Sequence, residues 1–468
     1  MGKREGSDVD MNSFAFIADL AGGELKGEDG LFSGTFLADS RLVKKGDVFV
    51  AFRGESADGH DYIADAARRG AVLAICENDS KVPSGMSSVK VSDTFNVLPE
   101  MAKRRLSSHP VPMEIAAVTG SVGKTTTREY LYQCLQKGFK AHSAEHSYNT
   151  LIGCSMAILS LPADSEILLL EMGASHRGEI GDIVAHFPPT VALVTEAAAA
   201  HLEGFGSAEG IVAAKMEIAR SARLRKFFYN GDNPLLRKEA ALLPTEVDRF
   251  SVGLGECDYR IVNPAFSIKE GEPSLSFSLS TPTGEVAVKS RSFGRHAAYP
   301  AAFALAVAMD LGVDGKDAAE ALSRAESLGG RGRVRRLPCG AVLIDDSYNA
   351  NPVSMKAVLE EAGRAEAPGR FAVVGEMLEL GERGVDFHRD LVGLFAPFRR
   401  VWLVGKTWEQ AAPPGSGADN VCHWGGSLKE LADLVAQELS GGDLIVVKGS
   451  RGNALDIVAD RLAGEKEP

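Results

Sequence analysis

Short apolar runs recur along the chain, and most are apolar on both faces instead of alternating with polar residues. In the first part they fall at residues 47–52 (DVFVAF), 71–76 (AVLAIC) and 88–93 (SVKVSD). An alanine-rich helical pattern over 60–71, closed by Gly70, lies between the first two. In the middle part the runs are 114–120, 166–173, 190–197 and 226–232, with helical patterns after the first and over 208–224. Strands apolar on both faces and alternating with helices predict a parallel sheet covered on both sides. Residues 250–293 differ: SLSFSLSTPTGEVAVKS alternates with period two around a turn, which predicts an antiparallel hairpin. Helix returns over 293–312. The last part has runs at 341–347, 370–377, 400–405 and 443–450, a second α/β sheet. Breaks fall at 107–112 (SSHPVP) and at the glycine- and arginine-rich 328–337. The pattern predicts an α/β protein of three domains, 1–108, 109–327 and 328–468.

Composition narrows the partners more than the fold. The 468 residues are 45% hydrophobic and 24% charged, which is ordinary for a globular chain. The net charge of −12 argues against binding nucleic acid through a broad electrostatic face. The six cysteines, at 76, 134, 154, 257, 339 and 422, are too scattered for a metal knuckle or a redox pair, and they suit a reducing compartment. No run approaches the ~18 apolar residues of a membrane span, and the first residues lack a signal-like apolar core. These features predict a cytoplasmic protein with no membrane span.

The chemistry begins at residues 118–127, VTGSVGKTTT. Backbone N–H groups of a glycine turn can converge on phosphate oxygens, and the start of the following helix adds positive potential. Gly120, Ser121 and Gly123 would form the cradle. Lys124 would reach the terminal phosphates, and Thr125, followed by Thr126, would offer a hydroxyl to Mg²⁺. The commoner long form of the loop needs glycine where Val118 stands, so this is a shorter variant. Its place between an apolar strand and a helix favours a phosphate loop over a simple tight turn with a solvated lysine.

Further strings follow in order: EMGASHRGEI (171–180), AHLEGFGS (200–207), AKMEI (214–218), DDSYNANPVSM (345–355), GEMLELGE (375–382) and VKGSRG (447–452). Residues 39–71, from DSRLVKKGDVF to ARRGA, belong with them. Together with the short loop they resemble the Mur ligase family of ATP-dependent carboxylate–amine ligases over nearly the whole chain. The resemblance implies a central phosphate-loop ATPase domain between an N-terminal UDP-sugar-binding domain and a Rossmann-like C-terminal domain. The DSYNANP string is similar to that of members adding D-alanyl-D-alanine to UDP-N-acetylmuramoyl-tripeptide. Members that add a single amino acid usually carry a histidine there.

What the family does with these residues is carried over position by position. ATP would phosphorylate the peptide carboxylate, and the amine would attack the acyl phosphate. Glu171 and His201 would join Thr125 around Mg²⁺. Lys215, on an alanine-rich helical face, would be carbamylated by CO₂, because an ammonium buried near a metal is disfavoured by desolvation and by like charge. Asn149 would contact substrate or phosphate. Arg333 would reach the phosphates from the third domain, with neighbouring arginines leaving the register open. Asp346 and Tyr348 would meet the ribose and base, Asn351 would shape their loop, and Lys448 and Arg451 would face the activated carboxylate or the dipeptide. Ser40, Arg41, Arg53 and His60 would hold the UDP-sugar. A monomer is expected.

Five positions depart from the family pattern: Thr150, Glu196, Ala297, Pro300 and Glu376. Glu196 would add charge near the metal, and Ala297 and Pro300 replace asparagines near the adenine. Three other readings stay open on sequence alone. They are a sister ligase with another amine, a phosphate-loop kinase or NTPase, and a non-catalytic UDP-sugar binder.

Overall fold

The computed structural model describes residues 10–54, 57–144, 148–198, 202–269, 271–413 and 420–465. They form three sheets in chain order. The first has five strands, in the spatial order Glu24–Lys26, Ser87–Lys90, Leu73–Cys76, Val48–Val50, Phe36–Leu37, all parallel except the first. The second has nine. From one edge, Ala141–Ser143, Ile167–Glu171, Glu114–Thr119, Val191–Val194, Lys226–Asn230 and Asp248–Gly253 are parallel. Tyr259–Lys269, Glu272–Thr281 and Gly284–Ser290 extend it as an antiparallel ribbon. The third runs Arg333–Arg336, Val342–Asp346, Leu444–Lys448, Arg370–Gly375, Arg400–Val404, Val421–Trp424, with only its first pair antiparallel. The three-part α/β architecture expected from the apolar pattern is present.

The middle sheet explains the doubly apolar runs. Ala116, Val118, Leu169 and Leu193 point to one face, against helices Lys124–Leu135 and Ala298–Asp310. Ile115, Ala117, Leu168, Leu170 and Val194 point to the other, against helices Leu151–Leu159 and Glu179–His186. A leucine such as Leu169, 1% exposed, contributes on the order of 2 kcal/mol by burial. That second face also receives Leu98 and Met101 of helix Thr94–Ser107, so the first and middle units share one core. Arg105, fully buried, ties them further by donating to the carbonyl of Leu161 at 2.7 Å.

The sequence pattern missed edge elements. Strand Arg333–Arg336 reads RVRR, and its polar residues disguised a strand as a break. Charge is what an edge strand carries to avoid pairing with other chains. The helix expected over 208–224 ends as an α-helix at Lys215 and continues as a 3₁₀ turn, Met216–Arg220.

Candidate functional site

The loops at the carboxyl ends of the middle strands face those of the third sheet across a cavity of about 860 Å³. The phosphate loop forms its floor. A β-carbon on Gly120 would come 2.2 Å from the Thr195 hydroxyl, so only glycine lets strand Glu114–Thr119 turn there. Gly123, at φ +81°, opens helix Lys124–Leu135. Ser121, Gly123, Lys124, Thr125 and Thr126 all line the cavity. Lys124 donates to the carbonyl of Gly120 at 2.7 Å. Burial lowers its affinity for a proton, and the neighbouring Glu171 carboxylate opposes that shift.

Glu171 ends its strand at 2% exposure. One oxygen accepts from the Asn149 side chain at 3.2 Å; the other is buried without a partner. An orphaned carboxylate oxygen beside a phosphate loop is costly unless a cation occupies the space, so these residues fit a divalent ion. Among the described residues no three His, Cys, Asp or Glu side chains cluster for a metal, and His201 lies outside the described residues. Thr150, the first departure, caps helix Leu151–Leu159 by accepting from the N–H of Gly153 at 3.2 Å. The Cys154 thiol packs under Glu171, and burial pushes it up to about 12, so it is no nucleophile.

Lys215, 2% exposed, ends its helix with Nζ 3.4 Å from the carbonyl of Ala174 and 5.0 Å from the Phe205 ring centre. Burial, with the charge of Lys124 adding to it, brings its pKa to about 7. Ser207 caps the helix, and Glu217 accepts from the N–H groups of Gly178 and Gly181, fixing the neighbouring turn.

The third unit supplies the roof. Asn351 caps helix Pro352–Arg364, and its side-chain amide reaches the carbonyl of Ser121 on the phosphate loop at 3.4 Å. Lys448, 1% exposed, pairs with Asp346 and donates to the carbonyl of Asn349 at 3.0 Å. The guanidinium groups of Arg331 and Arg451 lie over the Tyr348 ring, 3.9 and 5.0 Å from its centre. Gly330, at φ +69°, makes this possible: its N–H donates to Asp345 and its carbonyl accepts from Tyr348.

The arginine register resolves here. Arg333 is exposed on the edge strand, paired in register with Asp345, and does not line the cavity. Arg331 lines it, and its charge acts on Lys124. The signal was the strand itself: alternation in RVRR starts at 333, so an arginine meant for the loop must precede it.

Glu196, another departure, lines the cavity beside the phosphate loop. Its carboxylate accepts from Asn230 at 2.7 Å, from Asn233 at 2.5 Å and from the N–H of Ala197. These amides orient the carboxylate without neutralising it, and the residue braces the loop through its own carbonyl, which accepts from the Ser121 N–H at 2.7 Å.

None of the four first-unit candidates lines this cavity. Ser40 is buried at the start of a 3₁₀ turn. Arg41 is exposed and paired with Asp39 at 2.6 Å; Arg53 is exposed and paired with Glu77 at 3.2 Å. His60, 2% exposed, has both nitrogens committed to the fold. Nδ1 bonds Asp58 at 2.6 Å, and Nε2 accepts from the N–H of Glu77 at 3.0 Å, with that of Asn78 at 3.4 Å. In this structure it has nothing left to offer a sugar nucleotide.

A phosphate loop roofed by cations from another α/β unit defines a nucleotide-dependent enzyme whose ligand site lies between two units. Family models agree along the chain: the Mur ligase family catalytic domain at 36–118, the Mur ligase middle domain at 118–308, and the Mur ligase glutamate ligase domain at 330–451. The chain belongs to the Mur ligase family. It is 32% identical to the UDP-N-acetylmuramoyl-tripeptide–D-alanyl-D-alanine ligase of Escherichia coli (strain K12), over 95% of this chain and 97% of that one. Against the ligase of the same name from Bacillus subtilis (strain 168), identity is 30% over 91% and 92%. Among solved structures, MurF from Acinetobacter baumannii superposes with a TM-score of 0.79 at 26% identity, covering 96% of this chain and 98% of that one. MurF ligase from Thermotoga maritima in complex with ADP gives 0.75 at 30%, covering 92% and 97%.

Proposed function

We propose that this chain joins D-alanyl-D-alanine to UDP-N-acetylmuramoyl-tripeptide at the expense of ATP, making a cell-wall precursor. The observation that carries the reading is the facing of Lys124 and Glu171 by Arg331, Lys448 and Arg451 across one cavity. Bringing a carboxylate up to a triphosphate costs several kcal/mol at a modest effective dielectric, on the order of 4 kcal/mol per close like-charged pair. Cations from two units offset it.

In the first half-reaction a substrate carboxylate oxygen attacks the γ-phosphorus of ATP, ADP leaves, and an acyl phosphate results. The dipeptide amine then attacks the carbonyl carbon, a proton is lost from nitrogen, and phosphate departs with the oxygen it took from the carboxylate. Lys124 and the loop N–H groups hold the phosphates; Arg331 and Lys448 hold charge that develops between the units. A Mg²⁺ ion would be held by Glu171, Thr125 and His201 and would neutralise phosphate charge. Lys215 has the chemistry for a carbamate: a pKa of about 7 leaves a substantial neutral fraction to take up CO₂, where an ordinary lysine has almost none. The carbamate would replace an unfavourable buried cation by an anion, which would support a bound cation.

Residues 1–108 would then bind the UDP-sugar, 109–327 the ATP, and 328–468 would close over both. Asp346 and Tyr348 would meet the nucleoside, and Arg451 the incoming dipeptide. No helix among the described residues is long and apolar enough to cross a membrane. Action as a monomer in the cytoplasm is part of the same proposal. The test is incubation with ATP, Mg²⁺, D-alanyl-D-alanine and the lysine- or diaminopimelate-containing tripeptide, with phosphate release and product mass recorded. Amide product in step with phosphate supports the reading; phosphate without amide supports an NTPase instead.

A further inference from the structure

Arg331 and Tyr348 come from different parts of the third unit, and one buried carboxylate holds both. Arg331 precedes strand Arg333–Arg336, and Tyr348 follows strand Val342–Asp346. Between the two loops lies Asp345, 4% exposed. Its Oδ1 accepts from the N–H of Ser347 at 3.2 Å and from the Ser347 hydroxyl at 2.6 Å. Its Oδ2 accepts from the N–H of Gly330 at 3.2 Å and from Arg335 at 2.9 Å. The two oxygens therefore grip the residue just before Tyr348 and the residue just before Arg331.

The grip is reinforced on both sides. The carbonyl of Gly330 accepts from the N–H of Tyr348 at 2.9 Å. A β-carbon on Gly330 would come 3.0 Å from that nitrogen and 3.3 Å from the Ser347 hydroxyl, so the loops meet at a separation that suits glycine. Arg335 is itself held from behind. It pairs with Asp460 at 3.3 Å and with Glu465 at 3.0 Å, on and just beyond helix Asp456–Ala463. A buried carboxylate is tolerated when it is paired and fully bonded, and bonds to a charged acceptor are the strong ones.

Asp345 does not line the cavity, whereas Arg331 and Tyr348 do. Whatever it contributes to chemistry must pass through those two side chains. The Arg331 guanidinium lies 3.9 Å from the centre of the Tyr348 ring, and its charge is felt at Lys124 on the phosphate loop. A cation already held in place gives up less freedom when an anion arrives. We infer that Asp345 is a positioning residue for ligation: by gripping Gly330 and Ser347 it keeps Arg331 stacked on Tyr348 and presented to the cavity. This rests on the ATP-dependent ligase reading above.

Asp345→Asn tests it, because the amide keeps the shape while turning its N–H groups on to donors. The experiment is ligation by the whole enzyme, with kcat/KM for ATP measured for the unsubstituted chain, Asp345→Asn, Arg331→Ala and the double variant, and with denaturant midpoints read alongside. Asp345→Asn is expected to cost about tenfold in kcat/KM when Arg331 is present, and no more than about twofold when Arg331 is already alanine. The fall in denaturant midpoint should be the same in both backgrounds. An equal cost in kcat/KM in both backgrounds, or none in either, overturns the inference, since a purely structural role would ignore Arg331. If Asp345→Asn does not fold, Ser347→Ala, which removes only the hydroxyl bond, carries the same comparison. A loss of about threefold that vanishes with Arg331→Ala supports the inference; an equal loss in both, or none, overturns it. Failure of the unsubstituted enzyme to make amide with ATP is a failure of the ligase reading itself, visible before any variant is compared.

Discussion

The first unit and the central cavity both hold conspicuous polar residues, but they treat them in opposite ways. Around His60 every nitrogen is bonded, and Arg41 and Arg53 are paired with acids beside them. Around Glu171 a buried carboxylate oxygen is left without a partner, and beside it Lys215 is buried with a long contact to a carbonyl. A fold that satisfies its polar groups is finished; one that leaves them orphaned on a cavity wall is arranged for something that arrives later. Unpartnered atoms also occur away from the cavity, as at Trp408 Nε1 and His423 Nδ1, so it is the place of the Glu171 oxygen on the cavity wall beside the phosphate loop that marks it for a ligand.

Substitutions can break this contrast. The largest effect is expected at Lys124: Lys124→Ala lowers kcat on the order of 10³-fold with an unchanged fold by circular dichroism. Next is Lys215→Ala, with a loss of about 10²-fold that added short-chain carboxylates partly restore; full activity without them would defeat the carbamate. Lys215 also gives a pH signature. Its folded pKa of about 7 lies below the ordinary 10.5, so between those values the unfolded chain binds more protons and stability rises with pH. Below pH 7 the cost of burying the cation is fully present. In CO₂-free buffer, denaturant titrations of the unsubstituted chain should therefore gain on Lys215→Met as pH rises from 7 to 10.5, by a few kcal/mol at most.

The two arginines sharpen the comparison within a single loop. Arg331→Ala should cost about 10²-fold in kcat/KM, and Arg333→Ala no more than about threefold, since one lines the cavity and the other is exposed on an edge strand. The reverse order would restore the register first read from sequence. Smallest in catalysis is His60→Ala: a loss of about 1–3 kcal/mol in unfolding free energy from the stranded N–H of Glu77, with little change in kcat.

The fold was legible where burial is two-sided. Runs such as EILLLE and TVALV could only be inner parallel strands, and the phosphate loop announced itself by following one. Edge strands were not, because RVRR and the short Phe36–Leu37 carry little apolar signal. Lys124 and Glu171 line the cavity where their strings, contiguous with core elements, put them, and Lys215 is buried beside it against the carbonyl of Ala174. Arg331 was not legible, because choosing between two arginines two residues apart requires knowing where the strand starts. Glu196 brings a carboxylate to the cavity wall, and only the structure shows the amides of Asn230 and Asn233, more than 30 residues on, that hold it there.

The central claim is that the cavity passes the terminal phosphoryl group of ATP to a carboxylate before any amide forms. Tripeptide substrate labelled with oxygen-18 in the reacting carboxylate tests it directly, with mass spectrometry of the released phosphate. Transfer through an acyl phosphate predicts one labelled oxygen in phosphate for each amide made. Unlabelled phosphate, with all its new oxygen from water, would contradict it.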